Sequence, residues 1–145
     1  MRNEEARNVK ALKAFLNQYR DANRGIRRME SRRRVMGLAE TRPDPGSVAA
    51  ELAARIAAKR KELAGTALRV LDVIDLLPDG SLEKDIIELR HLHDMRWREI
   101  AKALGVSRSP CFLYYNKALN RLLEHERVRE LLDAAPGSAA AEEPR

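Results

Sequence analysis

The stretch from Trp97 to Leu122, WREIAKALGVSRSPCFLYYNKALNRL, constrains the fold more than any other part of the chain. Ile100 and Leu104 stand four apart, on one helical face, and Ala101 leaves room beside them for a second helix. Gly105 can supply the positive φ of a tight turn. Val106 can fill the space beneath it, and Ser107 is expected to cap the next helix by accepting a bond from its orphan amides. Cys111, Tyr114, Ala118 and Leu122 then recur at steps of three and four, which predicts one buried stripe. A helical hairpin around any glycine would meet part of this pattern. The joint register of all these positions predicts a helix-turn-helix, whose second helix normally lies in the DNA major groove.

Charge points the same way. Between Met95 and Leu123 six basic residues, Arg96, Arg98, Lys102, Arg108, Lys117 and Arg121, face one acid, Glu99, for a local net of +5. Phosphate contacts need such an excess. The whole chain carries +6, of which residues 1–36 hold eleven basic and four acidic side chains. A polyanion is the expected partner, and duplex DNA suits better than a membrane, since neither basic zone is an amphipathic anchor.

At 145 residues the chain has room for one domain or two small lobes, and aromatic residues make up only 4% of it, which suits helices with small cores. No apolar run is long enough to span a bilayer and MRNEEARNVK lacks a signal-peptide core, so a cytoplasmic protein is expected. The single cysteine, Cys111, falls in the predicted stripe and reads as a core residue.

Leu12, Phe15, Tyr19, Ala22, Ile26, Met29, Arg33 and Met36 alternate steps of three and four, a coiled-coil-like seam that predicts a long helix. Gly37 and TRPDPGS end it. A second seam, Ala49, Leu52, Ile56, Leu63, Val70, Val73 and Leu77, predicts a second long helix and hence an antiparallel hairpin over residues 1–77. A support helix over Leu82–His93 with Arg90 exposed, the helix-turn-helix, and a last helix running on through Val128 and Leu132 make a DNA-binding domain over 78–133. Residues 134–145 should be disordered. The fold class expected is all-α.

Candidate sites can be weighed in turn. Arg24 to Arg34, RGIRRMESRRR, could track phosphates or be a solvated helix face. His91 and His93, two apart on a helix, point to nearly opposite sides and cannot share a metal. Without a phosphate-cradling glycine loop or a catalytic carboxylate pair, neither an enzyme nor a cofactor is expected. Trp97 reads as a packing residue whose indole N–H could also meet a phosphate.

From Asp85 onward, the ELR…W.EIA..LG.S…KAL arrangement resembles region four, the promoter-binding C-terminal part of bacterial sigma factors. With the N-terminal hairpin, the chain up to about Leu132 looks like a phage and prophage family of sigma-like proteins that resemble late-gene transcriptional regulators. The resemblance implies duplex DNA binding, with Arg108, Ser109, Phe112, Leu113, Asn116 and Lys117 facing DNA, and it makes RNA polymerase a partner to test. The sequence departs from region four where Arg96 replaces a polar cap, leaving Asp94 as the expected cap. It departs again where Cys111 replaces Val and where Phe112 and Leu113 replace polar residues. Pro110 also biases Ser109 away from helical geometry.

The expected DNA-binding set is Arg96, Arg98, Lys102, Ser107, Arg108, Ser109, Phe112, Leu113, Asn116, Lys117 and Arg121. A phage-type regulator is the first function expected, with the hairpin serving homo-oligomerisation. Two other functions stay open: the DNA-recognition small subunit of a phage packaging terminase, and a protein-interaction module on a sigma-like fold.

Overall fold

Steps of three and four through Leu12, Phe15 and Ile26 build the first and longest helix of a computed structural model that describes residues 2–38 and 42–134. Among these residues the regular structure is all-α: α1 (Arg2–Val35), α2 (Val48–Ile74), α3 (Leu82–His91), α4 (Trp97–Leu104), α5 (Arg108–Leu123) and α6 (Glu126–Ala134). The expected tail from 134 lies outside the described residues except for Ala134, which closes α6.

Local chemistry sets the helix ends. Gly37, at φ 74°, lets the Leu38 N–H reach back to the Arg33 carbonyl at 3.0 Å and close α1. Ser47 accepts the Ala50 N–H at 3.1 Å and Ser81 accepts the Lys84 N–H at 3.2 Å, so both start their helices as side-chain caps. α2 runs back along α1, and the pair is fastened by Glu30 and Arg60.

One buried cluster draws on every helix, from Leu12 and Leu16 of α1 through Ile74, Ile86, Ile100 and Leu119 to Val128 of α6. The predicted α1 seam is corrected here: Leu16, outside it, is fully buried, while Ala22 and Met36 are exposed. α1 is packed by α2 and also by α3, α5 and α6, so its buried arc is wider than a single seam. Past that cluster, Ile26 is buried only in the strip that α1 shares with α2.

Two helix boundaries also differ from expectation. α3 stops at His91 rather than His93, and the chain then turns through Asp94 at φ 56°. The last helix breaks at Glu124 and His125, and α6 returns Val128 and Leu132 to the core against α1. A straight continuation would carry both away from it. No helix among the described residues is long and apolar enough to cross a membrane.

Candidate nucleic-acid interface

α4 and α5 meet across a turn in which Gly105 has φ 70°, the left-handed value its position demands. Ile100 and Ala101 are buried on one side, and Cys111, Tyr115, Ala118, Leu119 and Leu122 on the other. Of the predicted stripe Cys111, Ala118 and Leu122 are buried as expected, but Tyr115, not Tyr114, is the buried tyrosine, and Tyr114 lies at the margin. The reason is a partner for the phenol. The Tyr115 hydroxyl lies 2.9 Å from His91 Nε2, while His91 Nδ1 lies 2.9 Å from Asn17 Oδ1. Because an amide oxygen only accepts, Nδ1 donates to Asn17 and Nε2 accepts from Tyr115. Burial pushes the imidazole down to about 3 and the phenol up to about 12, so both are neutral. His93 is exposed.

Sequence reasoning missed this three-helix pin. A histidine on an apolar support helix was the available signal, but its partners are 74 and 24 residues away.

Trp97 bridges the elements as expected. Its ring sits edge-on to Phe112 at 4.9 Å and to Tyr115 at 4.8 Å, under the Arg90 guanidinium at 4.8 Å. Arg90, expected to be exposed, is half-buried and donates to the Met95 carbonyl at 3.0 Å. It holds the approach to α4 in place.

Both expected caps are corrected. Ser107 stands at the N-cap of α5 but its hydroxyl receives no amide, and the third helical residue, Pro110, has no N–H to give. Arg96, not Asp94, is the N-cap of α4. A guanidinium cannot accept a bond, so the helix start relies on the return half of a capping box, the Arg96 N–H donating to Glu99 Oε1 at 2.8 Å. Asp94 instead accepts both arms of Arg24 from α1, at 2.7 and 2.6 Å. This hydrogen-bonded bridge holds the Asp94 carboxyl below its ordinary range and the Arg24 guanidinium above its own.

Every residue of the expected DNA-binding set is exposed. Arg96, Arg98 and Arg108 gather with Trp97, Glu99 and Phe112 around one recess between the start of α4 and the first turn of α5. Ser107 and Ser109 flank Arg108 in sequence, and Leu113 and Asn116 continue along the open face of α5. Lys102 stands apart on α4.

Lys117 and Arg121 share a partner that the sequence did not reveal: the buried Glu83 of α3 lies 3.7 Å from one and 3.9 Å from the other. They form a compensated edge, whereas Arg96, Arg98, Lys102 and Arg108 have no acidic partner in an ion pair among the described residues. Cys111 is fully buried and its thiol is pushed up by that burial, which leaves it a packing residue. No protein-family model, curated protein or solved structure matches the chain.

Proposed function

We propose that the protein is a phage-type, sequence-specific double-stranded DNA-binding transcriptional regulator, in which a helical hairpin carries a helix-turn-helix lobe like sigma region four. The observation that carries this reading is the cluster of Arg96, Arg98 and Arg108, in no ion pair among the described residues, around the exposed start of the α4–α5 unit. Lys102 adds a fourth exposed cation, and Glu99 is the acid among them, so the four outweigh it and form a surface suited to the phosphates of a duplex. In this reading Arg96, Arg98 and Lys102 hold the backbone. Arg108 and Ser109, on the first turn of α5, reach base edges, and Asn116 follows one face further on.

The test is titration of labelled duplexes with the full chain over a range of salt, preceded by selection from a random duplex pool. A recovered consensus and a steep salt slope are the expected results. No duplex affinity at low salt ends the reading.

A protein-interaction surface is the second reading, favoured by Leu113 at 69% and Phe112 at 41% exposure. Exposed apolar neighbours of this kind need a partner. Thymine methyl groups serve that need within the DNA reading, and a polymerase or second subunit serves it in the other.

A further inference from the structure

One face of α1 is an arginine stripe. Arg20, Arg24, Arg27, Ser31 and Arg34 follow at alternating steps of four and three, so their side chains lie along a single line of the helix. The same line begins further back at Lys13 and Asn17, and its contacts run in order along the C-terminal helices. Lys13 lies over the Tyr115 ring of α5 at 5.8 Å, Asn17 bonds His91 of α3, and Arg24 grips Asp94, two residues before the Arg96 cap of α4.

Beyond Arg24 the line leaves the core. Arg27 and Arg34 are exposed and have no acidic partner in an ion pair among the described residues, and Arg28 on the flank is in the same state. Arg27 is close enough to Asp94 to help lower that carboxyl. The stripe therefore passes the entrance to α4, where Arg96 and Arg98 border the recess with Arg108. Its one acid at the junction, Asp94, is already neutralised by Arg24.

We propose that the Arg27–Arg34 face of α1 is a second phosphate-binding strip, continuous through Asp94 with the α4–α5 surface, which holds the backbone of the same duplex outside the segment read by α5. The inference rests on the duplex-binding reading and adds to it a longer footprint. Seven residues of helix separate Arg27 from Arg34 by about 10 Å. Two arginines that far apart on one helix face, each on a long flexible stem, can both reach phosphates of one strand. Backbone contacts carry no sequence information, so this strip sets affinity and length while α5 sets preference.

The experiment compares the full chain with an Arg27→Gln/Arg34→Gln variant and, separately, Arg108→Ala, each on a long duplex bearing the selected site. Both glutamines replace exposed side chains on a helix, and a thermal melt verifies that the fold is unchanged. The expected result for the double variant is a salt slope lower by about 1.8 units, two phosphate contacts at about 0.9 each. Its preference for the selected site over random duplex should be retained, and hydroxyl-radical footprints should lose protection only at one end. An unchanged slope and footprint in the folded double variant, with Arg108→Ala still impaired, overturns the second strip and leaves the duplex-binding reading standing. Absence of duplex binding by the unaltered chain overturns both.

Discussion

The His91 imidazole of α3 is joined to α5 by a 2.9 Å hydrogen bond, its Nε2 accepting from the Tyr115 hydroxyl. Asn17 occupies the other ring nitrogen, so a neutral ring donates to the amide and accepts from the phenol, whereas a protonated one leaves the Tyr115 O–H without its acceptor. His91 is 1% exposed, and the charges that act on it, those of Arg90, Arg20 and Lys13, are positive and oppose its protonation.

Stability should therefore fall in mild acid. The folded value of His91 is about 3, below the ordinary imidazole value of 6.5, so the unfolded chain binds the proton first. The contribution is complete above about pH 6.5 and is lost as pH falls from there toward about 3, at about 1.4 kcal/mol per unit. Asp79 and Asp94, held low by Lys84 and Arg24, lose their contributions only in the more acidic carboxylate range. Urea unfolding at pH 7.5 and pH 5 should show the wild-type chain losing about 2 kcal/mol more than a His91→Gln variant. Parallel losses in the two proteins would show that the ring is not buried neutral.

Glu83 restrains the cations of α5. Its carboxylate stands between Lys117 and Arg121, so Glu83→Gln should release both to phosphate, tightening binding to every duplex and steepening the salt slope by up to about 1.8 units. Lys102→Gln should do the reverse, lowering the slope by about 0.9. Anisotropy titrations over salt read both changes. A Glu83→Gln protein that folds and binds no more tightly would mean that Lys117 and Arg121 lie off the DNA path.

Phe112 and Leu113 should separate in stability. Phe112→Gln loses the edge contact with Trp97 and should cost about 1 kcal/mol, whereas Leu113→Arg should stay within about 0.5 kcal/mol. Together, the two changes should abolish preference for a thymine-containing site while general duplex affinity persists. Retained preference with loss of a protein partner in a pull-down would instead assign this face to protein contact.

The helix-forming segments, the Gly105 turn and the exposure of the basic set were legible because each depends on residues within a few positions of one another. Ile100, Leu104, Cys111 and Ala118 need only the helical period to declare a face, and Gly105 needs only its missing side chain. The caps were not legible, since both expected ones, Ser107 and Asp94, are overturned and the two serines that do cap were not singled out. Ser47 and Ser81 carry out what their residue type suggests, while Ser107 meets a proline where its donor should be.

Only the tertiary structure decided what α1 does. Its periodicity announces a helix with an apolar seam, but the second buried line through Leu16 and the polar line through Asn17 and Arg24 acquire meaning from groups on α3, α5 and the approach to α4. Asp94 was taken from capping to ion pairing, and Tyr114 exchanged places with Tyr115, for the same reason. Their partners lie 70 and 24 residues away, and a local pattern fixes which way a side chain faces but not which polar group waits there to satisfy it.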